Sequence, residues 1–252
     1  RVGRYRDALE KAGRALELAP ASAPAILIKG RLLEILGKKD TARETYRLME
    51  KTVAQEEYRT DAEALVALGR ILDRYAVLTR RRASEQAPNI LHNYFQEAYQ
   101  KVDSGYWPAN LAAAEFLLSK HKARAAMEEL ALAAKINKHL PDVYAMRAAV
   151  LLGQWKFEES GTEADKALAV NPRHDVALYM KAACLMQWRK FEEVPAILDK
   201  IFAYNPNHVE ALSLAAAACI RVGEDEKAKA FCSRVEQINP QSAILPQTIG
   251  QW

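Results

Sequence analysis

Small and apolar residues recur along the chain at a fixed interval, and this periodicity is the strongest structural signal in the sequence. Within each column, successive members lie 34 residues apart. One column is asparagine, one is alanine and two hold other apolar residues. Their members are Asn137, Asn171, Asn205 and Asn239; Ala114, Ala148, Ala182 and Ala216; Leu117, Leu151, Leu185 and Cys219; and Leu130, Ala164, Leu198 and Cys232. Self-similarity of this period predicts a repeat architecture.

Inside one period, the spacing of the apolar residues is helical. The small and bulky columns stand three positions apart, and Val194, Leu198 and Ile201 follow at spacings of four and three. These intervals predict two amphipathic helices in each period. Gly223 suits the left-handed end of the first helix, and an Asn-Pro pair ends the second, because the residue before proline is pushed out of the α region. Each period is therefore predicted to be a helical hairpin, and its alanine column lets stacked helices approach closely.

The N-terminal half carries a related pattern of glycine, aromatic and alanine positions. It comprises Gly3, Tyr5, Ala8, Ala12, Ala15 and Pro20, then Gly30, Leu33, Gly37, Ala42 and Tyr46, and then Leu68, Gly69 and Leu72. With these motifs and the regular period, the chain resembles the tetratricopeptide-repeat family over nearly its whole length. The resemblance implies an all-α fold. It implies an α-solenoid, a right-handed superhelix of antiparallel helix pairs, with about six full pairs and a partial N-terminal one.

We predict a single repeat domain over residues 1–252. Its parts are a partial repeat at 1–20, helix pairs at 23–53, 59–103, 107–138, 141–172, 175–206 and 209–240, and a tail at 241–252 that caps the array or begins another repeat. The pair at 59–103 is irregular, because a long loop is predicted at 79–89. Arg80, Arg81 and Arg82 in that loop are either a solvated surface or a basic contact for carboxylates or a phosphate. A chain that opens in mid-repeat without Met is expected to be a fragment of a larger protein.

Composition excludes several classes of function. The 36 Lys and Arg exceed the 32 Asp and Glu by only four charges, too small a surplus to argue for nucleic acid. No apolar run approaches the roughly 18 residues of a membrane span, so we predict no membrane partner. Cys184, Cys219 and Cys232 are too few and too irregular for a disulfide framework. They are predicted to be reduced core residues, which favours a cytoplasmic location.

The search for reactive chemistry is negative. The histidines form no HExxH pattern, and His139, His174 and His208 are predicted to be solvated residues of inter-repeat turns. The glycines form no phosphate loop, and no nucleophile stands in a triad-like pattern. We therefore predict no catalytic residue, no metal and no cofactor. The aromatic cluster of Trp155, Phe157, Trp188 and Phe191 either packs the turns or offers a platform for a ligand.

The family resemblance implies that the first helices line a concave groove, in which members usually bind extended peptides or helices. Helical phase then assigns to the groove Leu27, Arg31, Glu34, Val66, Arg70, Arg74, Leu111, Glu115, Leu118, Ala145, Ala149, Tyr179, Ala183, Met186, Ser213, Ala217 and Ile220. The principal candidates for peptide binding are Arg31, Arg70, Arg74, Glu115, Tyr179 and Met186. The arginines would attract acidic residues of a partner, whereas the region of Tyr179 and Met186 would seat an apolar anchor.

These features predict a non-catalytic protein–protein interaction scaffold that binds a peptide or helix segment in its groove. The alternative is a substrate-positioning or regulatory repeat domain of a larger enzyme, whose catalytic domain lies outside these 252 residues. RNA binding is disfavoured, because groove positions that would read bases are often Ala, Met or Leu.

Overall fold

The computed structural model describes residues 3–252, with the side chains of 83–85 left out, and every regular element in this part of the chain is helical. The all-α prediction is therefore confirmed. Two compact units form: Tyr5–Lys138 is the N-terminal unit, and His139–Trp252, with Gly3 and Arg4, is the C-terminal unit.

The N-terminal unit contains a single helix followed by three helical pairs, with one short additional helix after the first pair. Its helices are α1 (Tyr5–Leu18), α2 (Ala23–Ile35), α3 (Lys39–Arg47), α4 (Met49–Val53), α5 (Ala62–Leu78), α6 (Ala83–Ile90), α7 (Trp107–Ser119) and α8 (Ala123–Ile136). A 3₁₀ turn at Glu57–Thr60 precedes α5, and π-helical segments at Leu91–Gln96 and Ala98–Val102 continue α6. The first helices of the pairs are α2, α5 and α7.

The C-terminal unit repeats the hairpin three times and ends in one more helix. Its helices are α9 (Pro141–Gly153), α10 (Phe157–Val170), α11 (Asp175–Gln187), α12 (Val194–Phe202, after a 3₁₀ turn at Phe191–Glu193), α13 (Val209–Arg221), α14 (Asp225–Ile238) and α15 (Ile244–Gln251). The first helices here are α9, α11 and α13.

A glycine or alanine occupies the eighth position of every first helix, and this column sets how closely the two helices of a pair approach. Its members are Gly30, Gly69, Ala114, Ala148, Ala182 and Ala216, and all are buried. A methyl group added at Gly30 would overlap the Tyr46 ring, and one at Gly69 would lie 2.6 Å from Phe95 Cε1. Glycine is thus required where the second helix inserts an aromatic ring.

The same capping turn joins the two helices of every pair. Two backbone hydrogen bonds, from Lys122 N–H to Leu117 O (2.9 Å) and from His121 N–H to Leu118 O (3.0 Å), close the turn after α7. Equivalent bonds follow α2, α5, α9, α11 and α13. This is the Schellman arrangement, which requires a left-handed residue just after the helix.

The left-handed position is glycine in only some of these turns. Gly37 and Gly223 adopt it with φ of 76° and 75°, but Arg80, His121, Trp155 and Arg189 adopt it with φ between 54° and 63°. A side chain at this backbone conformation costs about 1 to 2 kcal/mol relative to glycine. These turns therefore store local strain in the folded chain.

The long loop predicted at 79–89 is wrong. After α5 the chain makes the standard turn, with Arg81 N–H bonded to Ala76 O at 2.9 Å, and α6 begins at Ala83. Pro88 does not restart the helix, because it lies inside α6. Its missing N–H removes one intrahelical bond, and the chain winds more widely from Leu91 onward. The irregularity of this pair is thus a long second helix, and Arg80, Arg81 and Arg82 form its short entry turn.

Asparagine and histidine organise the turns between pairs in the C-terminal unit. Asn171 Oδ1 accepts a hydrogen bond from Arg173 N–H at 3.0 Å, and Asn205 and Asn239 make the same contact two residues ahead. His174 Nδ1 then accepts from Ala177 N–H at 3.2 Å, which caps α11. His174 is only 3% exposed and its Nε2 faces Asp142, so the predicted solvated histidine is wrong at this position. The helix start needs an acceptor, and a buried imidazole supplies it.

Candidate functional site

A cavity of about 170 Å³ opens on the first helices of the N-terminal unit. Helix α2 contributes Leu27 and Arg31, and α5 contributes Arg70, Asp73 and Arg74. Helix α7 contributes Ala112, Glu115, Phe116 and Ser119. Phe95 also lines the cavity and lies on the second helix of the middle pair, which consists of α5 and of α6 with its π-helical continuation. Phe95 and Phe116 meet edge to face with ring centroids 5.6 Å apart, and both are buried. The cavity therefore has an aromatic floor and a charged rim.

Beside this rim, a network of partly enclosed polar side chains joins α2, α3 and α5. The guanidinium of Arg74 donates two hydrogen bonds to the carboxylate of Glu34, one of them from Nε to Oε1 at 3.1 Å. Tyr46 donates its hydroxyl proton to the same oxygen at 2.6 Å. Burial by itself raises the pKa of Glu34, but the hydrogen bonds from Arg74 and Tyr46 outweigh it and hold this pKa below its usual range. Burial and the bond to Glu34 raise the pKa of Tyr46.

A second set of ion pairs joins α5 to α7. Arg70 Nη2 lies 2.9 Å from Glu115 Oε2, and Lys120 Nζ lies 2.7 Å from Asp73 Oδ1. The side chains of Arg70 and Glu115 remain 41% and 62% exposed, so water screens their attraction. The Nε of Arg70 is enclosed and has no hydrogen-bond partner in the described part of the chain. One donor of Arg70 is thus unsatisfied in the described part of the chain.

Arg31 is exposed on α2 at the same cavity. Within residues 3–252, no ion pair or hydrogen bond engages its guanidinium. The positive charge of Arg31 helps to lower the pKa of Glu34. Arg31 is therefore the cation of this site that is available to a ligand.

Comparison with solved structures identifies the fold. The solved structure of pilF from Pseudomonas aeruginosa superposes with a TM-score of 0.54 at 17% identity, over 92% of this chain and 98% of that one. A tetratricopeptide-repeat protein of Parabacteroides merdae gives 0.55 at 16% identity, over 91% and 85%. TTC0263, a tetratricopeptide-repeat protein of Thermus thermophilus, gives 0.54 at 23% identity, over 73% and 92%. The chain has the tetratricopeptide-repeat fold. The sequence itself matches no protein-family model and no curated protein.

The repeat fold brings together one part of the predicted groove. Arg31, Arg70, Arg74 and Glu115 all line the cavity of the N-terminal unit. Tyr179 and Met186 lie in the C-terminal unit instead. Other residues that helical phase assigns to the groove are enclosed between neighbouring helices: Val66, Leu111, Ala145, Ala183, Ser213 and Ala217.

The region of Tyr179 and Met186 is covered by the last residues of the chain. Met186 is 2% exposed, and Ile249 and Trp252 pack against the core cluster that contains it. Tyr179 packs against the same cluster, and burial, followed by the charge of Glu210, raises its pKa to about 12. An apolar anchor predicted to bind here would meet side chains of the chain itself.

The sequence did not predict that Glu115 pairs with Arg70 and that Glu34 pairs with Arg74. Glu34 was assigned to the groove by helical phase, but its bonds to Arg74 and Tyr46 join separate helices and have no signal in sequence spacing. The ion pair between Asp73 and Lys120 was not predicted either, because it also joins residues far apart in the sequence. The i, i+3 spacing of Arg31 and Glu34 on one helix was the available sequence signal that an acidic residue lies near these arginines.

Reactive groups are scarce in the described chain. Between residues 3 and 252 no cluster of three or more His, Cys, Asp or Glu side chains is suited to a metal ion. The three cysteines are free thiols, and burial raises the pKa of each. Over the same residues, no helix combines the length and the apolar character that crossing a bilayer requires.

Proposed function

We propose that the chain is a non-catalytic protein–protein interaction scaffold that binds a peptide or helix segment of a partner. The cavity of the N-terminal unit is its docking site, and the segment carries an acidic residue beside a large apolar side chain. The observation that carries this proposal is the unengaged guanidinium of Arg31 above an aromatic floor.

The charges at the rim favour a carboxylate over a neutral ligand. Arg31 offers an exposed fork of donors, and the 41% exposed side chain of Arg70 offers the Nη2 donor that now contacts Glu115. Guanidinium groups bind carboxylates through paired hydrogen bonds, which are stronger than bonds between neutral groups. An acidic side chain of a partner would therefore satisfy donors that the chain leaves open.

The existing ion pairs divide into fixed and exchangeable ones. Glu34 holds Arg74 at two atoms, and that pair is mostly enclosed, so we expect it to remain as a support for α2 and α5. Glu115 holds Arg70 at an exposed contact worth at most about 1 kcal/mol. An incoming carboxylate can replace Glu115 at little cost.

The floor of the cavity favours an apolar side chain next to that carboxylate. Leu27, Phe95 and Phe116 line it, and a cavity of about 170 Å³ admits one large side chain rather than a whole ligand. Buried aromatic anchors flanked by polar rims are typical of residues that dominate binding energy at interfaces.

The proposal is tested by selecting random dodecapeptides from a display library on the 252-residue chain. We expect selected peptides to contain Asp or Glu beside Phe, Leu or Met. The substitution Arg31→Gln should weaken their binding about tenfold, because it removes a charge-assisted contact. The measurement is fluorescence anisotropy of a labelled selected peptide at low and physiological salt.

Arg43→Gln is the matched control. Arg43 is also exposed, but it lies on α3 beside Asp40 and does not line the cavity. Equal affinity of the selected peptides for the unmodified chain and for Arg31→Gln would contradict the proposal. So would selection of peptides without acidic residues.

A further inference from the structure

The C-terminal unit has a second, larger cavity at the turns within its helical pairs. Its volume is about 540 Å³, within the range of cavities that hold ligands. Trp155 lines it from the turn between α9 and α10, and Met186, Arg189 and Phe191 line it from the end of α11 and the following turn. Arg221 of α13 and Trp252 also line the cavity.

The charged side chains that line this cavity are both cationic. Arg189 and Arg221 are exposed, and the guanidinium group of neither forms an ion pair or hydrogen bond with any residue that the structure describes. No acidic side chain lines the cavity. This differs from the N-terminal cavity, where carboxylates neutralise two of three arginines.

Two of the lining residues occupy strained backbone positions. Trp155 and Arg189 hold the left-handed position of their turns, with φ of 63° and 57°, where Gly37 and Gly223 stand in the equivalent turns. Burial does not offset this strain, since Trp155 is 74% exposed and has one edge contact with Phe157 at 5.9 Å. Arg80 and His121 adopt the same conformation in other turns, so strain alone does not identify a site, but the exposure of Trp155 and Arg189 leaves both side chains accessible at the cavity.

The aromatic groups give the cavity an apolar wall. Phe191 and Trp252 pack partly on the core cluster of α11 and α13, and Met186 lies beneath them. Indole and phenyl faces bind flat or bulky apolar groups, and methionine adapts its shape to them. A ligand with both an apolar ring and a negative charge matches the two kinds of lining.

We propose that this cavity is a second docking site, which binds a partner-protein segment with an aromatic side chain flanked by Asp or Glu. The aromatic ring lies among Trp155, Phe191 and Trp252, and the flanking carboxylates bind Arg189 and Arg221. The site goes beyond the proposed function, because it lies in the other unit and needs none of the residues that line the N-terminal cavity.

The test uses the 252-residue chain and a fluorescein-labelled peptide in which two Phe alternate with pairs of Asp and Glu. We expect Arg189→Asn to weaken binding at least tenfold, and Arg221→Gln to do the same. Asparagine tolerates the left-handed conformation, so Arg189→Asn should keep or raise Tm, which separates lost binding from lost folding. Replacing the acidic residues of the peptide with Lys should abolish binding.

His121→Asn is the matched control. His121 holds the same left-handed turn position in the N-terminal unit and lines neither cavity. It should leave the affinity for the peptide unchanged. Unchanged affinity in both Arg189→Asn and Arg221→Gln would overturn the inference, as would failure of the unmodified chain to bind the peptide at millimolar concentration.

Failure of this inference is distinguishable from failure of the proposed function. Arg31→Gln should leave binding of the Phe-containing acidic peptide at the C-terminal cavity intact. If Arg31→Gln weakens this binding and Arg189→Asn does not, the peptide occupies the N-terminal cavity. That outcome overturns the second site and supports the first.

Discussion

Glu34 has two roles, because it holds Arg74 beside the N-terminal cavity and accepts a hydrogen bond from the Tyr46 hydroxyl. Its lowered pKa means that the folded chain favours the carboxylate more than the unfolded chain does. The stabilisation is therefore complete above the ordinary carboxyl pKa of about 4.3 and is lost as pH falls through the lower, folded value.

Glu34→Gln should reduce the free energy of unfolding at pH 7 by about 1 to 3 kcal/mol, since it leaves Arg74 without its charged partner. The difference from the unmodified chain should begin to shrink as pH falls below the ordinary carboxyl pKa of about 4.3, and it should disappear below the lower pKa of the folded chain, where Glu34 is protonated. Urea unfolding at several pH values measures both effects. Glu44→Gln, at an exposed position of α3, serves as the control and should change little.

Individual turn residues show where sequence reasoning succeeds and where it stops. Gly223 predicts its left-handed turn because glycine favours that conformation. Trp155 and Arg189 adopt the same conformation without any local signal, since their residue types disfavour it. The periodicity places these turns correctly, but their strain and the cavity they line are visible only in the folded chain.

The fit between two helices is decided by the small residue at the eighth position of the first helix. Gly30 leaves space for the ring of Tyr46, which in turn reaches Glu34. The spacing of the small column predicts this close approach from sequence. The partner that fills the space is not predicted, because the second helices hold Tyr46, Leu130, Ala164, Leu198 and Cys232 at the matching position.

Gly30→Ala should lower the free energy of unfolding by about 1 to 3 kcal/mol, because the new methyl group displaces the Tyr46 ring. Gly13→Ala is the matched control. Gly13 lies inside α1 with open space around its Cα, so alanine there should stabilise the helix by about 0.5 to 1 kcal/mol. Thermal unfolding of both variants gives opposite shifts of Tm if the column is correctly interpreted.

The second helix of the middle pair shows why element boundaries were harder to predict than the elements themselves. Pro88 and the three preceding arginines indicated a loop, because proline disfavours a helix interior. The helix nevertheless begins at Ala83, directly after the capping turn that ends α5. Packing of Phe95 against Gly69 and Phe116 favours the long helix over the local preference of proline.

At the scale of the whole molecule, each unit has its own apolar core. One cluster, which includes Tyr46, Leu68 and Phe95, lies in the N-terminal unit, and a cluster that includes Ala182, Leu198 and Ile201 lies in the C-terminal unit. In repeat proteins, stability comes from each repeat and from its contacts with adjacent repeats. A defect in one core should therefore be felt first by its own helices.

Ala182→Trp should cost on the order of 3 kcal/mol, because Ala182 is fully enclosed and an indole cannot fit. Hydrogen exchange should show the greatest loss of protection in α11, α12 and α13. Ala230→Trp, at an exposed position of α14, should leave protection unchanged. Uniform loss over residues 5–138 as well would show that the two units unfold as one.

The Asn-Pro turns also bear on the chemical lifetime of the chain. An asparagine side chain deamidates when the backbone nitrogen of the next residue attacks its amide carbon and closes a cyclic imide. Proline has no N–H at that nitrogen, so this ring closure is blocked at Asn171, Asn205 and Asn239. The asparagines that follow the second helices of the C-terminal unit are thereby protected from deamidation, a common ageing reaction of proteins.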